Sequence, residues 1–153
     1  MIKLNYFIVG ERIDIMHAYN EIYLDDVVEN QGKLFDFIAI NYPDADTEDF
    51  IKAYMFSKTR QSIDESQAYV NTMFAKELWD YFVETEGYKL KPGKSLKGFM
   101  PRWIGEFYAY YQWYYNIPSN EVIKMLPLDY IERAYNGLQD LDLELAVIKV
   151  GRL

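Results

Sequence analysis

Arg102, Glu106 and the tyrosines around them are the residues of this chain whose types and spacing come nearest to an active site. A glutamate set among aromatic rings is poorly solvated as an anion, which raises its pKa toward the range of a general acid. The same spacing has a plainer use, because residues four apart pair across one helical turn. The single histidine, His17, has no second His and no Cys to share a metal with. No Gly-x-Ser-x-Gly turn offers it a serine to activate. The pairs Asp25-Asp26, Asp44/Asp46 and Asp140/Asp142 lack the central glycine and closing glutamate of a calcium loop and read as turn and cap residues. Gly93-Lys94-Ser95 lacks the upstream glycine of a phosphate loop. With no cysteine, thiolate nucleophiles, thiolate metal sites and disulfides are absent. The expectation is a non-enzymatic protein with no catalytic residues, no metal and no cofactor; the alternative is a small enzyme with Glu106 in an aromatic pocket.

The densest chemistry is aromatic. Residues 103–115 carry Trp103, Phe107, Tyr108, Tyr110, Tyr111, Trp113, Tyr114 and Tyr115 on one predicted helix. Each such ring buries about 150–250 Å² when covered, and a monomer rarely leaves more than a few hundred Å² of apolar surface exposed in one patch. The helix is therefore central and enclosed, or it meets a partner. Gly105 and Ala109 open a strip for a close neighbour, and Trp103, Phe107, Tyr110, Tyr111 and Tyr114 bracket it as core. Tyr108, Trp113 and Tyr115 fall off that face, and Trp and Tyr lead the residues that dominate binding energy at interfaces. With Arg102 and Glu106 they form the expected partner-binding set.

Charge points the same way. Residues 1–50 hold three basic against eleven acidic side chains, which accounts for the whole net charge of −8. Such a field repels a phosphate backbone, so nucleic acid is not an expected ligand. It can steer a basic protein, or set carboxylates where phosphates would lie, as in an inhibitor that imitates nucleic acid. Ile117–Tyr135 has helix-turn-helix length, yet Arg133 is its one outward donor and Asp129 and Glu132 oppose phosphate. No apolar run approaches the roughly 20 residues of a membrane span. A cytoplasmic protein is expected, with a protein partner and self-association as a further mode.

Three- and four-residue periodicity places these side chains on helices. The prediction is an all-α domain over residues 1–153, a compact bundle of about seven helices around the aromatic one. Ile8, Ile15, Tyr19 and Ile22 fit one helical face, although Tyr6–Val9 also reads as a short strand before Gly10. Leu24–Asn41 continues as helix, with Gly32 a weak point, until Tyr42-Pro43 stops it. Asp46–Asp49 supplies N-cap oxygens for the next helix. Ser57–Ser66 reads as a polar stretch, Tyr69–Phe82 as one amphipathic helix closed by Gly87, and residues 87–98 as a basic loop. Ser119 caps a short helix, Pro127 opens another that Gly137 ends, and Leu141–Val150 is the last.

Leu34-Phe-Asp-Phe37, Asp49-Phe-Ile-Lys-Ala-Tyr-Met-Phe-Ser57, Trp103-Ile-Gly-Glu-Phe-Tyr108, Asn116-Ile-Pro-Ser-Asn-Glu-Val122 and Leu141-Asp-Leu-Glu-Leu-Ala146 together resemble a family of small bacterial proteins. In that family a Trp-Ile-Gly-x-x-Tyr helix precedes a Ser-x-x-x-Val/Ile turn and a closing Asp-x-x-x-Ala segment, and the genes tend to lie beside toxin-like partners. The resemblance covers about two thirds of the chain and rests on packing signatures, which transmit fold more readily than activity. It implies an antitoxin-like or accessory role and supplies no catalytic residue.

Overall fold

In a computed structural model, the protein is described over residues 5–9 and 12–153, with side-chain surroundings from Met16 onward. The fold is all-α, preceded by a two-stranded antiparallel ribbon. β1 (Asn5–Val9) pairs with β2 (Arg12–Met16) in the register Asn5↔Met16 to Val9↔Arg12. The continuous helix suggested for the start of the chain is thus replaced by a hairpin. Tyr6, Phe7, Ile8, Val9, Ile13 and Ile15 are aromatic or β-branched, and that composition favours extended backbone. The facing of Ile8, Arg12 and Ile15 lies outside the described side chains.

After a 3₁₀ turn at Glu21–Tyr23, nine helices follow among the described residues: α1 (Leu24–Asn41), α2 (Thr47–Met55), α3 (Lys58–Asp64), α4 (Ala68–Asn71), α5 (Ala75–Glu86), α6 (Met100–Tyr115), α7 (Ser119–Met125), α8 (Leu128–Leu138) and α9 (Leu143–Val150). Polarity had hidden α3 in the stretch Ser57–Ser66, and the helix expected over Tyr69–Phe82 is divided into α4 and α5. Ser57 accepts the Arg60 amide and caps α3, and Thr72–Phe74 separates α4 from α5. Asp46 caps α2 by accepting the Asp49 amide (3.0 Å). Gly87, at φ 64°, closes α5 in the left-handed region that costs glycine little. Gly137 instead lies inside α8.

The buried apolar residues form one connected cluster. Phe35, Phe50, Tyr54, Trp79 and Phe82 meet largely edge to face at 5.5–6.0 Å, joining α1, α2 and α5. α6 crosses α1 where glycine faces glycine. A Cβ on Gly105 would lie 2.6 Å from the Gln31 carbonyl oxygen and 2.9 Å from Gly32 Cα. Gly32 is therefore a point of closest approach that offsets its poor helix propensity.

The 87–98 loop is docked rather than loose. The Asp46 amide donates to Lys91 O, Thr47 N to Lys94 O and Gly93 N to Asp44 O, while Ser95 Oγ donates to Ala39 O and Leu96 N to Thr47 Oγ1. At the start of α2, the Thr47 amide thus serves the loop and the Asp49 amide its own cap.

Candidate functional site

α6 is enclosed around most of its circumference. Trp103, Phe107, Tyr108 and Tyr111 are buried, as are Gly105, Ala109 and Gln112 between them. The remaining arc is a stripe at steps of four, four and three residues: Arg102, Glu106, Tyr110 and Trp113. Tyr114 beside it is 39% exposed. Two assignments change. Tyr108, expected at a partner surface, is fully buried, and its hydroxyl donates to Leu126 O. Tyr110 and Tyr114, expected in the core, are half-buried and exposed. The cause is that neighbours close on α6 from Trp103 round past Gln112, which turns Tyr108 inward and leaves Tyr110 and Tyr114 on the accessible arc beside Arg102, Glu106 and Trp113.

Arg102 and Glu106 pair at 3.8 Å, both partly exposed. The Glu106 Cγ packs over Gly32, where an added Cβ would meet it at 2.6 Å. Burial raises the Glu106 pKa, Arg102 opposes that, and Glu29 on α1 adds to it. The pair lines none of the cavities described below, so its geometry is that of a helix-crossing ion pair.

Farther along the stripe the rings form a ladder. Tyr110 meets Trp113 at 5.7 Å and Tyr114 at 6.3 Å, Tyr114 meets Tyr115 at 4.9 Å, and Tyr115 meets Tyr111 at 4.8 Å. Tyr115 is half-buried, and its hydroxyl donates to Val147 O of α9 (3.1 Å). α9 turns Ala146 and Val147 inward and leaves Leu145 and Ile148 exposed. The phenol of Tyr110 is raised by burial, then by the nearby charges of Glu144 of α9, Tyr114 and Asp25 of α1.

Trp113 and Tyr114, with rings inclined at 68°, also form one wall of a cavity of about 390 Å³. Met16, Ala18, Tyr19, Asn20, Glu21 and Asn116 complete it. The opposite wall is fixed by two non-glycine residues in left-handed backbone. Asn116 (φ 56°) ends α6, and its Oδ1 accepts the amides of His17 (2.7 Å) and Ala18 (3.3 Å). Ser66 (φ 58°) ends α3, and its Oγ accepts the Asn20 amide (2.8 Å). Asn tolerates this conformation better than Ser, and residues held there recur at binding sites. His17, exposed, contributes its backbone rather than its imidazole.

Beneath the cavity lies an ionic cluster that the sequence reading missed. Arg60, fully buried, donates from Nε to Gln31 Oε1 (2.8 Å), from Nη1 to Asp64 Oδ1 (2.7 Å) and from Nη2 to Gln112 Oε1 (2.7 Å). Asp64 also accepts Gln112 Nε2 and both the amide and hydroxyl of Ser119 (2.9 and 2.8 Å). Ser119 is thus the first residue of α7 and not its cap, and Asp64 accepts its amide from outside the helix. Burial pushes the Asp64 carboxyl up, while Arg60, Ser119 and Gln112 favour its charged form. Gln31 Nε2 donates to Gly105 O (2.8 Å), and the Tyr19 ring covers the guanidinium at 5.7 Å while its hydroxyl donates to Ala109 O. The cluster binds α1, α3, α6 and α7 to the segment that walls the cavity. The readable signals were Ser57 three residues before Arg60 and the i,i+4 pair Arg60/Asp64 flanking buried Ile63.

A second groove, about 580 Å³, runs between the 94–97 loop and α8, lined by Asp46, Glu48, Lys94, Ser95, Leu96, Lys97, Met100 and Glu132. Glu132 is pushed up to about 7 by burial, then by its hydrogen bond to Glu48 and the charges of Glu48 and Asp129, against Lys52. A raised folded-state pKa means the shared proton stabilises the fold fully below the ordinary carboxylate range. That contribution is lost as pH rises through about 7. Urea midpoints compared between pH 5 and pH 8 are expected to show Glu132→Gln gaining on the parent protein as pH rises, since the amide keeps a donor toward Glu48. A constant difference would contradict the shared proton.

On the α7–α8 pair the exposed Arg133 pairs with Asp129 (3.3 Å) and the exposed Lys124 with Glu121 (3.4 Å). Among the described residues no group of three or more His, Cys, Asp or Glu could hold a metal ion, and no helix is long and apolar enough to cross a membrane. No family model matches the chain, and neither a curated protein nor a solved structure is significantly similar to it.

Proposed function

We propose that this is a non-enzymatic interaction module, antitoxin-like or accessory in role, that binds a partner protein across the outer stripe of α6. The observation that carries the reading is the half-exposed ladder Tyr110, Trp113, Tyr114 and Tyr115, held on a rigid central helix with Glu144 and Asp25 beside it. Aromatic groups that remain partly solvated while their backbone is fully fixed lose little entropy on docking, which is the character of an interface anchor. The acidic first third of the chain steers a basic partner toward that face. Of the residues expected at the interface, Trp113 and Tyr115 keep that role, Arg102 and Glu106 form its far rim, and Tyr108 supports it from within.

The test is photocrosslinking in the source cells with p-benzoylphenylalanine incorporated in place of Trp113, and separately in place of Tyr69. Tyr69 is an exposed aromatic on α4, outside the α6 stripe. The expected result is one discrete protein adduct at position 113 that is absent at position 69. Identical adducts at both positions, or none at 113, would contradict the reading.

A further inference from the structure

We infer that the cavity between Trp113, Tyr114 and the 16–21 segment is a guanidinium site, which receives an arginine side chain of the docked partner. The inference deepens the interaction reading and rests on it. Charge selects the occupant, since among the described residues no Lys or Arg lines the cavity, while the carboxylate of Glu21, an exposed residue, does. The volume, about 390 Å³, is in the range of small-ligand sites and exceeds what one apolar side chain needs.

Ring geometry selects the kind of cation. Trp113 and Tyr114, both lining the cavity, meet edge to face at 68° and 6.4 Å. A planar, weakly hydrated guanidinium stacks on such a face and still presents its N–H fork to a carboxylate, whereas an ammonium is a compact and strongly hydrated charge. Asn20 supplies a further polar group on the wall. The lining already shows the same chemistry, because the Tyr19 ring takes the chain's own Arg60 guanidinium at 5.7 Å. Asp64 neutralises that arginine at 2.7 Å, so it does not repel a second one.

The preformed wall is a further support. Asn116 and Ser66, themselves in left-handed backbone, accept the amides of His17, Ala18 and Asn20.

The experiment uses the full chain and three blocked tripeptides, acetyl-Gly-Arg-Gly-amide and its citrulline and lysine counterparts, read by the Trp113 indole N–H resonance. That signal is identified by its loss in Trp113→Phe. The arginine peptide is expected to shift it saturably at millimolar concentration, with the lysine peptide weaker and the uncharged citrulline peptide weakest. Glu21→Gln, at an exposed position, is expected to weaken the arginine peptide about three- to fivefold with the thermal midpoint unchanged. Equal response to arginine and citrulline, no saturable shift, or indifference to Glu21→Gln with the fold intact would each overturn the assignment. A crosslinked partner at position 113 alongside failed peptide binding removes the guanidinium site and leaves the docking face. Peptide binding with no partner adduct does the reverse.

Discussion

Arg60→Ala is expected to lower the stability of this protein by about 3–5 kcal/mol, the usual cost of stranding one charge of a buried pair. For a chain of this length that is a fall in melting temperature of roughly 6–20 °C. The physical reason is the Asp64 carboxylate, which would stay inside with donors from Ser119 and Gln112 and no counter-charge. Gln31 Oε1 and Gln112 Oε1 would each lose a charged donor at the same time. Asp64→Asn is expected to be costly for the converse reason, and the two changes together should cost clearly less than their sum, because neither charge is then stranded. Chemical denaturation of the four proteins checks this. Additive losses, or a loss below about 1 kcal/mol for Arg60→Ala, would mean that the cluster does not hold α3 against α1, α6 and α7.

Gly105→Ala is the second large effect, and its sign runs against helix propensity. In a free helix the change is favourable by about 1 kcal/mol. Here the new methyl would sit 2.6 Å from the Gln31 carbonyl oxygen and 2.9 Å from Gly32 Cα, both backbone atoms that cannot swing aside. The two helices must separate, and overpacking of that kind costs about 1–3 kcal/mol or more. Separation also stretches the bond from Gln31 Nε2 to Gly105 O, so the strain reaches the Arg60 cluster. Gly137→Ala is the control. It lies inside α8 with nothing within 4 Å of the new methyl, and should gain about 0.4–1 kcal/mol. Urea midpoints moving in opposite directions are expected, and a stabilising Gly105→Ala would contradict the close α1–α6 crossing.

Local chemistry was the legible part of the fold. The helix at 24–41, the Asp46 cap, the Gly87 stop and the aromatic helix follow from apolar spacing and capping residues, which act within one or two turns. The hairpin was readable only as the alternative at Tyr6–Val9, since a run of aromatic and β-branched residues satisfies either period when short. The helix at 58–64 was hidden because its inward residues include Arg60 and Asp64. A charged side chain is core only when distant partners satisfy it, and Gln31, Gln112 and Ser119 lie 29, 52 and 55 residues away from the residues they bond. Nothing in a local window carries that information.

The site was legible to a similar degree. The surplus of rings on α6 announced that some must remain accessible, and Trp113 and Tyr115 were placed on the open side. Tyr108 and Tyr114 were exchanged because the buried arc was centred on Trp103, Phe107 and Tyr110. In the fold Leu126 closes over Tyr108 and draws the arc round to that side. The cavity wall could not be read at all. It depends on Asn116 and Ser66 gripping backbone amides of residues 98 and 46 positions away.

The most direct measurement of the central claim is the affinity of the captured partner for three purified proteins: the parent chain, Trp113→Ala/Tyr114→Ala, and Tyr69→Ala. All three must share one circular dichroism spectrum. With two interface anchors removed at about 2 kcal/mol or more each, the paired variant is predicted to bind at least several hundredfold more weakly, and Tyr69→Ala within about twofold of the parent. Equal affinity across the three, with the fold intact, would contradict docking on the outer face of α6.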